Sequence, residues 1–491
     1  MIDRPVFPHG RRIALSLLAA AAACSVGVAA AGLPTPVLLA TLSALTGLAL
    51  CVLARYYVGA VGVRETDWAI RAQAHQGEAE ERAEAHSLSV ARALYLAGML
   101  TVAQTTVRPL MGFTLSDWLF FAALCAALAG LIVRRTPIAV RVPWPIVLGV
   151  ALFVVSGLLS SVGAVEPLQS VARVARFGYL TLVWFWLGTV VLTNWRTLRA
   201  AVGLWVVSVA LDGVAAILQA RGVQVPYVGP VMWGRMTGFT ENVNDLGGAA
   251  GIALAPALAL AFTARNSRTR VLWCLALAGV VAGVVLSGSV GGMAAGAGAV
   301  VMWLVVSSHG LRPVLLVVAA LVLALGVTQV QGALGLPTPL ERLMAATGQS
   351  DGGQYSTITA RVQGYDTAWV GLAGGGWVGV GLDAVSADVG PGVEVHDLFL
   401  NAWYEAGWLA AVGMVLVVAA AVGYALAASR RAFPGRDKLL AIGILSAVAA
   451  FIAMAMGAPI LHQRYAWVAV ALAIACSALV RESRPSSRRR R

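Results

Sequence analysis

The stretch VLWCLALAGVVAGVVLSGSVGGMAAGAGAVVMWLVV, residues 271–306, contains no charged side chain. It consists of two long apolar runs joined by LSGSVGG, and similar runs of roughly twenty residues recur from one end of the chain to the other. The apolar residues are continuous and do not alternate with polar ones, so each run is predicted to be a helix and not a strand of a β-barrel.

The composition agrees with this prediction. Hydrophobic residues make up 59% of the 491 residues, charged residues only 12%, and the mean hydropathy is +0.82. A soluble domain carries about 25% charged residues. We therefore predict an all-α, polytopic integral membrane protein with about fourteen transmembrane helices. The predicted spans begin near Ile13, Val37, Ala93, Leu115, Pro145, Phe177, Ala200, Val243, Val271, Gly291, Pro313, Leu398, Leu439 and Leu461.

Four segments follow from this pattern. Residues 1–114 are predicted to hold N-terminal spans and a polar cytoplasmic insert, and 115–409 a membrane core with one long extracytoplasmic loop, 332–396. Residues 410–480 hold the last spans, and 481–491 form a basic cytoplasmic tail. The five cysteines, which lie in apolar runs and are odd in number, are expected to be small core residues and not disulfides. They are Cys24, Cys51, Cys125, Cys274 and Cys476.

The basic residues predict the orientation. With both termini in the cytoplasm, most Lys and Arg fall on the cytoplasmic side, as in a multi-pass protein of a bacterial inner membrane. The outer side keeps Arg108, Arg173, Arg176, Arg221, Arg235, Arg342, Arg361 and Arg464. The net charge of +13 is therefore mostly a topology signal. The tail Arg488–Arg491 suits anionic membrane lipids, and no nucleic-acid partner is expected.

Polar residues of the outer side gather in three places. Arg235 precedes Asn242, Asn244 and Asp245 at a helix start, where free backbone N–H groups favour an anion. Arg361, Tyr365 and Trp369 recur at helical spacing in 356–369, and His396 and Asp397 open a predicted span. Two guanidinium groups and one imidazole on the same side suggest a site for a diphosphate-bearing substrate.

The same segments resemble a known family. GFTENVNDLGG, LSGSVGG, ARVQGYDTAW with GVGLDA, and VHDLFLNAWYEAGWLA resemble, in the same order, the motifs of the O-antigen ligase and O-antigen polymerase family, and LSDWLFF resembles its early span. Together they cover about 115–409. The resemblance implies a fold of the GT-C glycosyltransferase type. It also implies transfer of a glycan from a polyprenyl-diphosphate carrier to a glycolipid or glycan acceptor, without a metal or cofactor.

The resemblance also assigns roles to residues. Arg235 and Arg361 would bind the diphosphate leaving group, and His396 would activate the acceptor hydroxyl. Substrate contacts are expected from Asn242, Asn244, Asp397, Tyr365, Arg173 and Arg176. His462 and Arg464 are secondary candidates. Asp212, an ionisable residue inside a span, is expected either to have a functional role or to pair with one of the arginines.

The chain departs from the family's motifs at three positions. Val243 replaces a proline, Val290 replaces an arginine, and Asp397 replaces an asparagine after the histidine. Asp397 is expected to raise the pKa of His396 or to orient its ring. Each site residue also has a structural interpretation, in which Arg235 anchors a helix end, Arg361 pairs with Asp366, and His396 caps a span.

Other classes of function remain open at this stage. A lipid-linked oligosaccharide flippase or another transporter also has many spans, but it is expected to line an inner cavity with charge. A non-catalytic scaffold would not require Arg235, Arg361 and His396 together. Ligase and polymerase share one donor and differ in the acceptor, so the motifs do not separate them.

Overall fold

The computed structural model describes residues 87–108, 113–134, 142–232, 234–307, 332, 335, 358–373, 377–387 and 394–482. The spans predicted near Ile13, Val37 and Pro313, the polar insert, the basic tail and most of the long loop lie outside these residues. The helices, numbered in chain order, are α1 Ser87–Thr101, α2 Leu115–Arg134, α3 Trp144–Ser160, α4 Pro167–Val191, α5 Trp195–Ala220, α6 Val243–Phe262, α7 Ser267–Ser287, α8 Val290–Ser307, α9 Ile358–Ala373, α10 Leu398–Ala406, α11 Trp408–Arg431, α12 Arg436–Ala455 and α13 Arg464–Glu482.

The described part of the chain is α-helical, and nine of its helices are long and apolar enough to cross a membrane. They are α2, α4, α5, α6, α7, α8, α11, α12 and α13, while α1 and α3 are shorter apolar helices. Met232 and Arg235 form an isolated antiparallel β-bridge. The chain is therefore a helical protein of the multi-pass membrane type.

Two predicted helix starts are wrong. The span expected from Leu398 is interrupted, because α10 ends at Ala406 and the membrane-length helix α11 begins only at Trp408. Gly407 between them has φ 92°, a left-handed conformation that stops an α-helix and favours glycine. The span expected from Phe177 begins earlier, at Pro167, whose fixed φ suits the first turn of a helix.

The helices pack through small residues. A Cβ atom added to Gly213 of α5 would lie 1.8 Å from the carbonyl oxygen of Gly279 in α7. One added to Gly149 of α3 would lie 2.4 Å from the carbonyl oxygen of Gly413 in α11. Close backbone approach of this kind is typical of membrane helices. Lipid tails are as apolar as the helix surfaces, so the hydrophobic effect does not drive the helices together, and close packing of small residues does. One continuous core includes residues from α1 to α13.

The helices run back and forth, so the connections gather at two ends. At the Arg199 end, Arg199 donates to Thr263 Oγ1 over 2.7 Å and lies 3.4 Å from Asp437. At the Arg464 end lie the connections 161–166, 221–242, 288–289 and 456–463, together with α9 and α10. Arg464 itself donates to Asp117 of α2. The predicted site residues all belong to this second end.

The cysteine prediction needs a correction. Cys476 is buried in the core, but Cys125 and Cys274 are exposed on the outer faces of α2 and α7. All three are free thiols. An apolar run does not reveal which of its faces points outward, because a fully apolar helix surface is compatible with both core and lipid.

Candidate functional site

Arg235 joins two of the motif segments. Its side chain is only 4% exposed. Its Nε donates to the carbonyl oxygen of Ser287 over 2.6 Å and its Nη2 to Asn244 Oδ1 over 3.2 Å. Ser289 Oγ donates to the same Asn244 oxygen over 3.2 Å. The connection before α6 therefore packs directly on the α7–α8 turn LSGSVGG, with Arg235 and Asn244 between them.

The start of α6 follows the predicted pattern. Asn242 is its N-cap, and its side-chain oxygen accepts from the backbone N–H of Asn244 over 2.9 Å, which satisfies one of the free donors of the first turn. Asp245 is buried in the same turn and accepts from the Tyr465 hydroxyl over 3.2 Å. The Asn242 and Asp245 side chains thus hold the helix start in place against its neighbours.

The segment 377–387 pairs with the C-terminus of α10. The N–H groups of Val380 and Gly381 donate to the carbonyls of Tyr404 and Glu405, each over 2.9 Å. A Cβ atom on Gly379, which has φ 89°, would lie 2.6 Å from the Glu405 carbonyl oxygen. The GVGLDA and HDLFLNAWYEAGW motifs therefore pack on each other. Residues 371–373 belong to α9, and Gly379 approaches α10.

His396 and Arg361 come together as predicted. Arg361 and Tyr365 lie on α9, and the Tyr365 hydroxyl donates to the carbonyl oxygen of His396 over 3.3 Å. His396 Nδ1 lies 2.7 Å from the Glu394 carbonyl oxygen, so Nδ1 carries the proton and Nε2 keeps its lone pair. Burial, followed by the charge of Arg361, lowers the pKa of His396. The imidazole is therefore neutral at neutral pH.

Asp397 has a different environment from the one expected. Its Oδ1 accepts from the backbone N–H groups of Phe399 and Leu400 over 3.0 and 2.8 Å, so Asp397 is the N-cap of α10. The expected rise in the His396 pKa is wrong. Burial and then the charge of Arg361 lower the pKa, and the hydrogen bond to the Glu394 backbone offsets only part of this effect. Capping of α10 falls to Asp397 and not to His396.

Arg361 has no acidic partner among the described residues. Its Nε is buried and makes no hydrogen bond there, and no ion pair joins it to Asp366, which is exposed. Burial lowers the pKa of Arg361, although a guanidinium stays protonated at physiological pH. A half-buried cation without a partner is unfavourable unless an anion is brought to it.

A second cationic pair lies on α4. Arg173 Nη1 is 3.8 Å from a Glu394 carboxylate oxygen, and Arg176 Nη2 donates to the His462 carbonyl oxygen over 3.3 Å. Glu394 is two residues before His396, so Arg173 and the imidazole share this neighbour. Arg173 Nη1 and Arg176 Nε, both buried, have no hydrogen-bond partner within the described ranges.

Glu405 and His462 face each other next to these arginines. Glu405 Oε2 lies 3.8 Å from His462 Nε2, and the Glu405 side chain is 1% exposed. Burial, then the charge of Glu394, raises the pKa of Glu405 well above its usual range. Burial, then Arg173 and Arg176, lowers the pKa of His462 well below its usual range. His462 is therefore uncharged at neutral pH, and burial disfavours the ionised form of Glu405.

The ionic contacts of Arg464 and Asp212 differ from those predicted. Arg464 is committed to Asp117, with Nε 2.8 and 2.9 Å from the two carboxylate oxygens and Nη2 2.5 Å from Oδ2. Asp212, for which an arginine partner was one expectation, has no hydrogen-bond partner for either carboxylate oxygen among the described residues. The amide nitrogen of nearby Gln104 donates to Ser208 instead.

The predicted residues thus form two groups. In the first group, Arg361 and Tyr365 lie beside His396, Arg173 lies beside Glu394, and Arg176 bonds to His462. In the second, Arg235, Asn242 and Asn244 organise the start of α6. Sequence reasoning missed Glu394 and Glu405. The sequence did offer one indication for Glu405, because it is an ionisable residue within the apolar stretch 398–412.

The described residues contain no group of three or more His, Cys, Asp or Glu side chains with the geometry of a metal site. None of the protein-family models compared with the chain matches it, and a search of curated proteins gives no match.

Proposed function

We propose that this protein is a membrane glycosyltransferase. It transfers a glycan from a polyprenyl-diphosphate carrier to the hydroxyl group of a glycan or glycolipid acceptor. The observation that carries the proposal is the position of Arg361 beside His396, and of Arg173 and Arg176 beside Glu394 and His462, at one end of a helical membrane protein. These side chains can bind the diphosphate of a lipid-linked donor at the membrane surface while the polyprenyl chain of the donor remains in the bilayer.

The arginines suit a diphosphate. Guanidinium groups donate two parallel hydrogen bonds to phosphate oxygens, and charge-assisted bonds of this kind are roughly twice as strong as neutral ones. Arg361 Nε, Arg173 Nη1 and Arg176 Nε are buried donors with no acceptor in the described part of the chain. A diphosphate would supply acceptors and opposite charge together, so it would relieve the cost of burying these cations.

His396 suits the acceptor. Its Nε2 lone pair can take the hydroxyl proton while the acceptor oxygen forms a bond to the anomeric carbon of the donor. As that bond forms, the bond from the anomeric carbon to the diphosphate oxygen breaks, and its electron pair leaves with the diphosphate, whose charge the arginines stabilise. The Glu394 carbonyl holds the tautomer that this step requires.

The resemblance to the O-antigen ligase and polymerase family supports the same reaction. Its four later motif segments pack in two pairs, through Arg235 and Asn244 in one and through Gly379 and Glu405 in the other. The resemblance gives Arg235 a diphosphate contact. Because Arg235 also donates to Ser287 and Asn244, we assign it in addition to holding the α6 start against the α7–α8 turn.

The charge distribution supports an outward-facing site. The Arg199 end carries Arg196, Arg199, Arg265, Arg268, Arg270, Arg430, Arg431, Arg436 and Lys438. By the positive-inside rule this end faces the cytoplasm, and the Arg464 end faces outward from a bacterial inner membrane. We propose that the whole chain has about fourteen spans and a GT-C type of arrangement, with the long loop 332–396 outside.

A release assay tests the proposal. Purified protein in lipid nanodiscs is given a short-chain polyprenyl diphosphate carrying a labelled glycan, together with candidate acceptors, and free polyprenyl diphosphate is measured. The double variant Arg173→Ala/Arg176→Ala is expected to lose release. Arg221→Ala, which changes an exposed arginine at the same end, is the matched control and should retain it. Equal release by the double variant and the control would contradict the proposed role of α4.

A further inference from the structure

The buried pair Glu405 and His462 has no role in the glycosyl transfer described above. Glu405 Oε2 and both ring nitrogens of His462 make no hydrogen bond within the described residues, although Oε2 and Nε2 are only 3.8 Å apart. Asn401 lies one turn earlier in α10 and partly offsets the rise in the pKa of Glu405 that burial causes. Two titratable groups so close together and so well shielded can hold a proton between them.

The charges around this pair come from several elements. Arg173 and Arg176 of α4 face His462, and Arg176 is hydrogen-bonded to its carbonyl oxygen. Glu394, which is 39% exposed, and Asp383 of the segment 377–387 face Glu405. Arg464, next to the turn that carries His462, is neutralised by Asp117. The two α4 arginines therefore act as the nearest cations that oppose a proton on His462.

We propose that binding of a diphosphate at Arg173 and Arg176 is coupled to the uptake of a proton by the Glu405–His462 pair. The inference rests on the proposed function, because it needs a diphosphate at α4. The proton comes from solvent, and no covalent bond changes. The added negative charge cancels the repulsion that the two arginines exert on an imidazolium, and the proton then attracts the diphosphate in return.

The coupling has a definite direction. Burial and the arginines lower the pKa of His462 in the free protein, and a bound anion raises it again. The same anion opposes ionisation of Glu405, whose pKa burial already raises. Proton occupancy of the pair is thus higher in the complex, so affinity for diphosphate falls as the pH rises through the pKa of the bound state. A single coupled proton changes affinity by at most about tenfold per pH unit.

Calorimetry of the purified full-length protein tests the coupling. Farnesyl diphosphate is titrated between about pH 6 and pH 9 in buffers of different ionisation enthalpy, which gives the protons taken up per ligand. The wild type is expected to take up as much as about one proton at the most favourable pH. His462→Gln should still bind the ligand but with uptake reduced to near zero, and Glu405→Gln should bind it with uptake reduced only by the share that Glu405 contributes. Glu241→Gln removes an exposed carboxylate at the same end and should match the wild type.

The outcomes separate the two proposals. If the wild type binds farnesyl diphosphate and both variants take up as many protons as it does, the protons belong to the ligand or to another residue. The coupling is then overturned while the diphosphate site stands. If the wild type does not bind at all, both the diphosphate site and the coupling fail. Glu405→Gln is nearly isosteric with a neutral glutamic acid, so it is expected to fold even if His462→Gln does not.

Discussion

The ion pair between Asp117 and Arg464 gives a sharp prediction about stability. The two side chains are 6% and 3% exposed, and three N–O distances of 2.5–2.9 Å join them. Removing one partner leaves an uncompensated buried charge, which costs about 3–5 kcal/mol. Removing both and filling the space with apolar side chains costs far less, because the desolvation of two charges is avoided as well. The double variant should therefore be more stable than either single variant.

We expect Arg464→Met to destabilise the protein by about 3–5 kcal/mol, and Asp117→Leu to cost roughly 1 kcal/mol more. The additional loss arises because Thr114 N and Oγ1 also donate to Asp117 Oδ2. A loss of 1 kcal/mol lowers the midpoint temperature of thermal unfolding by roughly 2–4 °C in a domain of 150–250 residues, and by less in a larger chain. Each single change should therefore lower this temperature by about 5–10 °C.

The protein is heated in mild detergent and the monomer that remains is measured by size-exclusion chromatography. The quantity compared between variants is the temperature at which half of the monomer peak is lost. Asp117→Leu/Arg464→Met should recover much of the loss of either single variant. A double variant as unstable as the sum of the two single changes would show that the pair contributes no coupling, and the reasoning would then be refuted.

Four further predictions concern the proposed site. Arg361→Ala should slow transfer by about 10²–10³-fold at equal membrane expression, with Arg361→Lys in between, and wild-type turnover of the alanine variant would return Arg361 to a structural role. His396→Ala should keep donor binding and lose transfer. In the free wild-type protein the lowered pKa favours the neutral imidazole, so kcat/KM, which reports the free enzyme, should begin to fall only at a pH below the pKa of an ordinary imidazole. Transfer should survive EDTA, since arginines supply the positive charge, and a strict magnesium requirement would reject the arginine clamp. In intact cells an impermeant thiol reagent should label Asp366→Cys but not Arg268→Cys in a chain without its native cysteines, and the reverse pattern would invert the topology.

Much of the fold was predictable from local sequence. Apolar runs and their polar ends indicated most of the membrane-length helices, because a helix in a bilayer satisfies all its backbone groups internally and needs no distant partner. The break at Gly407 was not predictable in this way. The residues on both sides are apolar or aromatic, and only the φ of Gly407 and its contact with the segment 377–387 separate α10 from α11.

The site was predictable only in part. Arg361, Tyr365 and His396 could be chosen as candidates because α9 has a clear helical spacing and the histidine stands at a helix start. Glu405 and the Asp117–Arg464 pair were not, because their partners are far away in the chain; Asp117 and Arg464 are 347 residues apart. A lone carboxylate in a sequence looks the same whether it is solvated or faces a histidine across a helix interface.

The most direct test of the account is the fate of the lipid-linked glycan in cells that lack this protein. If the protein transfers glycan on the outer face, deletion should cause polyprenyl-diphosphate-linked glycan to accumulate in the outer leaflet, where an impermeant glycosidase removes it from intact cells. Expression of the wild type should clear the accumulated lipid, and expression of His396→Ala should not. Accumulation only in the inner leaflet, where the enzyme cannot reach it, would identify a flippase. No accumulation at all, or clearance by His396→Ala as efficient as by the wild type, would contradict the proposed transfer.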